Sequence, residues 1–369
     1  MERGVVEIYS KHEGRRYGVK TYLITGGAGF IGSNFINYMM NKYPDIKIVN
    51  VDSLTYAGNL ENLKWAENNK NYTFIQADIS DRNVVNTIFS QTEINYVINF
   101  AAESHVDRSI TGPEIFVTTN VMGTQNLLSA AKDKWLCGED VYTNGCRFLQ
   151  ISTDEVYGSL GETGFFTEQT PLDPHSPYSA SKASADLLVK AYFDTFKFPA
   201  LTTRCSNNYG PYQFPEKLIP LVINNLLQHK SVPIYGDGLQ VRDWLHVNDH
   251  CRAIDMVLHG GKAGEVYNIG GHNERTNIYI VKRIIKYIYE NVDQAVTENL
   301  ITHVKDRKGH DRRYGIDPEK IKNDLGWQPE ITFEQGIEQT IGWYLDNKQW
   351  MDNVTSGEYR NYYENMYTR

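Results

Sequence analysis

Two short stretches of the sequence carry groups that could transfer protons. Thr153, Asp154 and Glu155 place a hydroxyl and two adjacent carboxylates at the end of an apolar run. Tyr178 and Lys182 follow later in the chain. They are four residues apart and would share one face of a helix. Together, these groups could carry out several proton transfers on one sugar.

A strand and a helix are needed to bring the two stretches together. The apolar residues before Thr153 predict a buried strand that delivers the reactive groups at its end. Neighbouring residues of a strand point to opposite faces. Asp154 and Glu155 can therefore reach one sugar only if the strand ends at or just after Thr153. The structural alternative is a helix N-terminus at which both acids serve as caps.

A glycine-rich turn near the N-terminus indicates a nucleotide site. The β-prone run Thr21–Thr25 leads into Gly26, Gly29 and Gly32, and a helical pattern follows through Met40. Glycines at this spacing allow a tight turn and a close approach of the backbone to a pyrophosphate at the helix N-terminus.

The second predicted strand supports this interpretation. Residues 47–51 are β-prone and end at Asp52, twenty residues after Gly32. In a dinucleotide-binding fold, an acid at this place accepts hydrogen bonds from the adenosine ribose, and its charge repels the extra phosphate of NADP. The sequence therefore predicts NAD as the cofactor. Considered alone, Asp52 could equally be a helix cap or a turn residue.

Further strands alternate with helices along the first part of the chain. This alternation predicts an α/β fold, a Rossmann-like doubly wound parallel sheet with helices on both faces and a ligand site at the carboxyl ends of its strands. From about residue 209, more Pro and Gly and shorter elements predict a smaller C-terminal α/β substrate-binding lobe. The predicted strands are 72–77, 96–100, 149–153 and 200–205, and the predicted helices are 82–90, 114–133 and 178–195.

The predicted domains follow from this change in composition. Residues 1–19 are an N-terminal extension, 20–208 form an NAD-binding Rossmann domain, and 209–369 form mainly the substrate-binding lobe. The lobe is predicted to be discontinuous, because segments near 240–271 have patterns that could return to the large sheet.

Composition and charge argue against several classes of protein. A net charge of −8 does not suit nonspecific nucleic-acid binding, which relies on a broad basic surface. No apolar run is long enough to span a bilayer. The four cysteines form no CxxC pair and have no metal-ligand spacing, so we predict free thiols, no metal site and a cytoplasmic protein. His246 and His250 lack a third ligand at suitable spacing.

Five motifs together resemble those of the extended short-chain dehydrogenase/reductases, and within that superfamily those of the nucleotide-sugar 4,6-dehydratases. The resemblance runs from Lys20 to the C-terminus. Its most specific element is the Thr-Asp-Glu triplet, because related epimerases and decarboxylases generally lack both carboxylates. The motifs are Thr25 to Gly32, Asp52 to Asn59, Ala101 to Asp107, Ser152 to Gly158 and Tyr178 to Lys182.

This resemblance implies a complete reaction on dTDP-glucose, bound as a nucleotide-diphosphate sugar. The sugar is oxidised at C4 with NAD, water is lost across C5 and C6, and the hydride returns to C6. Tyr178 would deprotonate the C4 hydroxyl with help from Lys182, while Thr153 orients that hydroxyl. Glu155 would remove the C5 proton, which the 4-ketone acidifies. Asp154 would protonate the departing C6 hydroxyl, for which it needs a raised pKa.

The resemblance also implies contacts to the cofactor and the substrate. Physically, Arg242 and Arg307 could each present a planar fork to a diphosphate. The implied cofactor contacts are Gly26, Gly29, Phe30, Ile31, Gly32, Asp52, Ser53, Leu54, Thr55, Asp78, Ile79, Ala101, Ala102, Ser104, Thr119, Tyr178, Lys182 and Asn208. The implied substrate contacts are Ser104, Thr153, Asn207, Lys217, Leu218, Pro233, Ile234, Tyr235, Arg242, Asn277, Asp306, Arg307 and His310.

Two more expectations come from the resemblance. A homodimer joined by helices of the cofactor domain is implied, with the helices over 114–133 and 178–195 as candidates. At Lys308 the family commonly has Pro, so this loop gains a charge and loses a rigid φ.

Other functions are open at this point. A nucleotide-sugar 4-epimerase or decarboxylase would share Tyr178 and Lys182, but Asp154 and Glu155 argue against it. A UDP-glucose 4,6-dehydratase is a further alternative, because the sequence does not fix the base of the nucleotide. A non-catalytic NAD-sensing regulator would have damaged catalytic positions, and none is seen.

Overall fold

The structure is a computed structural model that describes residues 19–356. The predicted N-terminal extension over residues 1–19 lies, apart from Val19, outside the described residues. Within the described part of the chain, no helix is both long and apolar enough to cross a membrane.

Seven parallel strands form the central sheet. The chain winds outward in both directions from the centre of this sheet, which is the doubly wound arrangement that the sequence predicts. From one edge to the other the strands are β12 (Val266–Ile269), β8 (Ala200–Cys205), β7 (Arg147–Thr153), β4 (Tyr96–Asn99), β1 (Thr21–Thr25), β2 (Lys47–Asp52) and β3 (Tyr72–Gln76).

Helices cover both faces of this sheet. The helix predicted over 114–133 is not one regular helix, because a π-helical segment at Val117–Gly123 separates a short first turn from the longer second part. The helices of this layer are α1 (Phe30–Lys42), α2 (Arg82–Gln91), α3 (Val106–Thr111), α4 (Glu114–Phe116), α5 (Thr124–Trp135), α6 (Pro177–Phe196) and α8 (Val247–Gly260), with a 3-10 helix at Leu60–Ala66.

The apolar run before Thr153 is continuous because β7 is buried on both faces. Leu149 and Ile151 pack into the core under α1 and α8, whereas Phe148 packs into the core under α2, α5 and α6. A strand in the middle of a parallel sheet is covered by helices on each side, so apolar residues occupy consecutive positions. This burial fixes the direction in which the strand delivers Thr153.

A smaller lobe with a third core lies beside the large sheet. Its sheets are small, and its core is built mainly from the three helices Leu218–Leu227, Asn277–Asn291 and Phe333–Asp346. The elements are β9 (Asn207–Tyr209), α7 (Leu218–Leu227), β10 (Val232–Tyr235), β11 (Val241–His246), β13 (Glu274–Thr276), α9 (Asn277–Asn291), β14 (Ile301–Val304), α10 (Glu319–Leu325), α11 (Phe333–Asp346) and α12 (Lys348–Val354), with a 3-10 helix at Glu298–Leu300. A separate hairpin pairs β5 (Leu136–Gly138) with β6 (Val141–Tyr142).

The segments near 240–271 divide between the two parts. Strand β11 pairs with β9 and β13 in a three-stranded sheet and does not join the large one. Helix α8, which follows directly, packs into the core beneath β1 and β7. Strand β12 then forms the edge of the large sheet beside β8.

A buried ion pair links the end of the large sheet to the helix that carries Tyr178. Arg204 of β8 donates through Nε to Oδ2 of Asp186 on α6, at 2.8 Å, and through Nη1 to the Tyr157 hydroxyl at 3.0 Å. Tyr157 in turn donates to Oδ1 of Asn268 on β12, at 2.8 Å. Both charged side chains are almost fully buried, so removing one partner would leave the other uncompensated.

We expect Asp186→Ala to lower the free energy of unfolding by about 3–5 kcal/mol, because it strands the Arg204 charge inside the protein. The matched control is Asp194→Ala on the same helix, where the exposed pair with Lys190 should contribute less than about 1 kcal/mol. Urea unfolding followed by tryptophan fluorescence measures both. Equal losses of unfolding free energy in the two variants would show that the buried pair stabilises the fold no more than the exposed pair.

Candidate active site

The strand that carries the predicted catalytic residues ends where the two carboxylates require it to end. Strand β7 stops at Thr153, and Asp154–Tyr157 form a 3-10 helix. The Thr153 hydroxyl caps this helix: it accepts a hydrogen bond from the Glu155 N–H at 3.2 Å and donates to Oδ1 of Asp154 at 3.2 Å. The cap of this helix is therefore Thr153 and neither of the two acids, which lie in its first turn.

Asp154 is a buried acid with little compensation. Its side chain is 2% exposed, and its Oδ2 atom has no hydrogen-bond partner within the described structure. Burial raises the pKa of Asp154 well above its usual range, and the neighbouring carboxylates of Glu155 and Asp243 raise it further. A carboxyl group in this state can hold a proton near neutral pH and donate it.

Glu155 stands at the junction of two adjoining cavities and lines both. Burial raises the pKa of Glu155, but the positive charges of Arg242, Lys217 and Arg307 oppose the rise. These basic neighbours favour the ionised form. The two adjacent acids thus have different surroundings, which suits one as an acid and the other as a base.

Tyr178 and Lys182 lie on the first turns of α6, which begins with a capping box between Ser176 and Ser179. Lys182 donates through Nζ to the Ile151 carbonyl at 2.7 Å, which fixes the helix against β7. Burial and the charge of Glu155 raise the pKa of Tyr178 well above its usual value. Lys182 is not among the main influences on the pKa of Tyr178, and burial lowers the pKa of Lys182 itself.

The first cavity runs along the carboxyl ends of the central strands, from the glycine turn to the catalytic residues. A Cβ atom on Gly32 would lie 2.4 Å from the Gly26 carbonyl oxygen, so glycine is needed for the turn to close. At the N-terminus of α1, Gly29 provides no side-chain cap, and this end of the helix borders the cavity. Unpaired N–H groups at such an end suit a phosphate.

Asp52 lines the same cavity at the end of β2. Its Oδ2 accepts from the Ala28 N–H at 2.9 Å and its Oδ1 from the Leu54 N–H at 2.8 Å. Each carboxylate oxygen has a second acceptor site, so Asp52 can hold the glycine turn in place and still accept hydrogen bonds from a ribose.

Nearly all predicted cofactor contacts line this first cavity. Leu54 does not: its left-handed backbone, with φ of 55°, serves to present its N–H to Asp52. The predicted contacts that line the cavity are Gly26, Gly29, Phe30, Ile31, Gly32, Asp52, Ser53, Thr55, Asp78, Ile79, Ala101, Ala102, Ser104, Thr119, Tyr178, Lys182 and Asn208.

The second cavity lies between the large sheet and the smaller lobe, and most of the predicted substrate contacts line it. Thr153 borders the first cavity instead, and Asp306 borders neither, because its carboxylate pairs with His310 Nδ1 at 2.6 Å. The predicted contacts that line the second cavity are Ser104, Asn207, Lys217, Leu218, Pro233, Ile234, Tyr235, Arg242, Asn277, Arg307 and His310.

Two arginines give the second cavity a positive wall within an acidic protein. Arg242 stacks over the ring of Tyr314 at 4.2 Å and donates to the Asp311 carbonyl at 3.0 Å. Arg307 pairs with Asp107 of α3, its Nε lying 2.6 Å from Oδ1. Arg307 is therefore already held by a carboxylate, and a diphosphate would have to share or replace this contact.

Several lining residues were not predicted from the sequence. Gln213, Phe214 and Glu216 line the first cavity from the loop before α7, and Asp311 and Tyr314 line the second. The only signals were an acid beside the predicted Lys217 and an aromatic residue at the end of the basic run 307–313. Neither has a specific spacing, so these contacts depend on the folded loops.

No group of three His, Cys, Asp or Glu side chains in residues 19–356 could hold a metal ion. His246 and His250 are both buried, and His250 Nδ1 lies 2.9 Å from Oδ1 of Asn208. Burial lowers the pKa of His246 to about 4 and that of His250 to about 3, so both rings are neutral in the fold.

Comparison with known proteins agrees with this geometry. The model of the GDP-mannose 4,6 dehydratase family matches residues 23–340. A dTDP-glucose 4,6-dehydratase of Xanthomonas campestris pv. campestris is 53% identical over 343 residues, which cover 92% of this chain and 97% of the relative. The chain belongs to the dTDP-glucose 4,6-dehydratase family. This family lies within the superfamily that the five motifs resemble.

Solved structures of dTDP-glucose 4,6-dehydratases have the same fold. One from Bacillus anthracis, in complex with NAD, is 49% identical with a TM-score of 0.82, and the match covers 91% of this chain and 100% of that one. One from Streptomyces venezuelae, also with NAD bound, is 44% identical with a TM-score of 0.83, over 90% of this chain and 99% of that one. In this member of the dTDP-glucose 4,6-dehydratase family, both acids of the Thr-Asp-Glu triplet are present, Asp154 buried and Glu155 half-buried.

We expect the buried Asp154 carboxyl to destabilise the fold when it is ionised. A carboxyl whose pKa is raised on folding favours the folded state at low pH, and this contribution is lost as the pH rises through the folded-state pKa. Asp154→Asn removes the titration. The Tm of the variant should therefore exceed that of the wild type by roughly 2–4 °C at about pH 8, and the difference should shrink steadily as the pH falls towards about 4, the pKa of an unperturbed aspartate.

The exposed Asp194→Asn is the control and should show no such trend. Differential scanning calorimetry across this pH range gives the Tm values. A Tm difference between Asp154→Asn and the wild type that does not change with pH would contradict the assignment of a raised pKa to Asp154.

Proposed function

We propose that this protein is an NAD-dependent dTDP-glucose 4,6-dehydratase, a lyase that converts dTDP-glucose to dTDP-4-keto-6-deoxyglucose. The observation that carries the proposal is the capped turn at Thr153, which places Asp154 and Glu155 together beside Tyr178. The relatives that match over more than nine-tenths of the chain have this activity in their names. The presence of both acids favours water loss over simple epimerisation.

The residues of the first cavity fit NAD. The glycine turn leaves the N-terminus of α1 open to a pyrophosphate, and Asp52 can accept from the adenosine ribose while its charge disfavours a 2′-phosphate. Bound NAD would supply a hydride acceptor for C4 and later a hydride donor for C6. The positive nicotinamide ring beside Tyr178 would also oppose the rise in pKa that burial causes.

Tyr178 and Thr153 would act on the C4 hydroxyl of the sugar. Tyr178 takes the hydroxyl proton as C4 is oxidised, and Thr153 hydrogen-bonds the same oxygen. Thr153 is already oriented by its two contacts in the turn, and its hydroxyl beside Tyr178 opposes the rise in the pKa of that phenol. The fixed hydroxyl and phenol hold the reacting group in place, which reduces the entropy lost on reaching the transition state.

The two acids would then carry out the elimination. Once C4 is a ketone, the C5 proton becomes acidic, and Glu155, whose ionised form Arg242, Lys217 and Arg307 favour against the effect of burial, removes it. Asp154, kept protonated by burial and by neighbouring carboxylates, gives its proton to the departing C6 hydroxyl. The same basic residues would bind the diphosphate in the second cavity.

A direct assay tests the activity. The purified protein is incubated with NAD and dTDP-glucose, and the product is detected by the ultraviolet absorbance that a 4-keto-6-deoxy sugar develops in base. UDP-, CDP- and GDP-glucose in parallel reveal the base preference. If none of the four sugars gives this product, the proposed function is wrong.

We expect Asp154→Asn to separate oxidation from dehydration. Without the acid, water loss should slow by about 10²–10⁴-fold, while oxidation at C4 and removal of the C5 proton persist. In D2O, dTDP-glucose recovered from this variant should carry deuterium at C5, detected by mass spectrometry. Glu155→Gln is the matched variant and should give neither product nor deuterium. Normal turnover by Asp154→Asn would remove Asp154 from its role.

We also infer a homodimer and a cytoplasmic location. Apolar side chains are exposed along the helices predicted for a dimer, on α4, on the π-helical segment and on α6: Ile115, Val117, Met122 and Leu187. A patch of this kind on packed neighbouring helices suits an isologous two-fold interface. All four cysteines, which lie within the described residues, are free thiols, which favours a reducing compartment.

Leu187→Glu should convert the dimer to monomers. Leu187 is 56% exposed in the single chain, and a charge at this place would be buried unpaired on each side of a two-fold interface, at several kcal/mol. Light scattering coupled to size-exclusion chromatography measures the mass. Tyr289→Glu, on the similarly exposed face of α9, is the control and should remain dimeric. If Leu187→Glu remains a dimer like the wild type, the interface does not include this face of α6.

A further inference from the structure

One arginine, Arg108, contacts two loops that form part of the wall of the first cavity. Arg108 itself does not line the cavity. Arg108 lies on α3, and its guanidinium carbon is 3.9 Å from the ring centroid of Tyr56. Its Nε is 3.3 Å from Oε2 of Glu216. Tyr56 belongs to the loop after β2, and Glu216 to the loop before α7. Side chains from three distant parts of the sequence therefore meet around one cation.

The two loops form separate parts of the cavity wall. Thr55 and Gly58 line the cavity from the loop after β2, whereas Phe214 and Glu216 line it from the loop before α7. The rings of Tyr56 and Phe214 also meet edge to face, with centroids 5.8 Å apart. A ligand as large as a dinucleotide, held between these walls, leaves more easily when the loops separate. Arg108 opposes that separation.

The contacts around Arg108 are of the kind that is costly to break. The Glu216 side chain is 1% exposed, and removing the guanidinium beside such a buried carboxylate leaves Lys217 as the remaining cation that opposes the effect of burial. Burial raises the pKa of Glu216, and the charges of Lys217 and Arg108 oppose this rise. A guanidinium stacked on an aromatic face adds attraction, which grows as water is excluded.

We infer that Tyr56, Arg108 and Glu216 form a strap that retains the cofactor in the first cavity. The inference rests on the proposed function, since it takes NAD to be the occupant of that cavity. Arg108 is a positioning residue in this scheme: it acts on NAD through the two loops. The strap controls how long one NAD molecule stays bound.

The test is the rate at which NAD leaves the intact protein. Protein saturated with NAD is diluted into cofactor-free buffer, samples are filtered at intervals, and the nucleotide that remains is released by denaturation and quantified by chromatography. Arg108→Met keeps the apolar stem but removes the guanidinium. We expect its NAD to dissociate roughly tenfold faster than that of the wild type, because the change acts on the dissociation rate.

Arg283→Met is the matched control. Arg283 is similarly half-buried and makes one ion pair, with Glu338 at 2.7 Å, in the smaller lobe away from both cavities. Its NAD release should match the wild type. Glu216→Gln should release NAD faster than the wild type. In the double variant with Arg108→Met, the fold-increase in the release rate should be smaller than the product of the two single fold-increases, because the residues form one contact.

Each outcome decides the inference. Release from Arg108→Met at the wild-type rate, or equal acceleration in Arg283→Met, would overturn the strap while leaving the proposed function intact. A wild-type protein that binds no NAD would overturn both. If Arg108→Met does not fold, Tyr56→Leu keeps the ion pair and removes the stacked ring, and it must still release NAD faster than the wild type. Thermal unfolding of each variant confirms that the fold is preserved.

Discussion

The hydrogen bond from the Glu155 N–H to the Thr153 hydroxyl determines where the reacting groups lie. In an extended strand, Asp154 and Glu155 would point to opposite faces of the sheet, and one of them would be lost in the apolar core. The cap ends the strand and begins a tight helical turn, so both acids remain at the edge of the sheet. The buried strand on one side and the Tyr157 network on the other hold this turn in place.

The charge distribution of the site depends on that turn. Asp154 lies towards the interior, beside Asp243, where ionisation is disfavoured. Glu155, one residue later, faces Lys217, Arg242 and Arg307 at the meeting point of the two cavities. A single change of direction in the backbone thus raises the pKa of Asp154 more strongly than that of Glu155, whose basic neighbours oppose the rise. The acidic protein as a whole needs only this local cluster of cations to receive an anionic ligand.

The sequence predicted the parts of the structure that depend on local pattern. The strand at Thr21–Thr25, the glycine turn, the end of β7 at Thr153 and the spacing of Tyr178 and Lys182 each follow from neighbouring residues. The sequence did not predict that β11 lies in the small three-stranded sheet, because the residue pattern of a buried strand is the same in either sheet. The π-helical segment in the helix over 114–133 escaped for a similar reason, since Asn120 binds the distant Glu103 backbone there. Arg108 and Glu216 meet only in the folded chain.

The path of the chain between the two parts of the molecule limits how the protein can be altered. After β8 the backbone enters the smaller lobe, returns in α8 and β12 to complete the large sheet, and leaves again for α9. Ile321 and Trp327, near the end of the chain, also belong to the core beneath β1. The smaller lobe is therefore not a cassette that recombination could exchange as one segment. Exchange of the lobe as a whole would need at least two separate insertions, one before and one after the returning segment that contains α8 and β12.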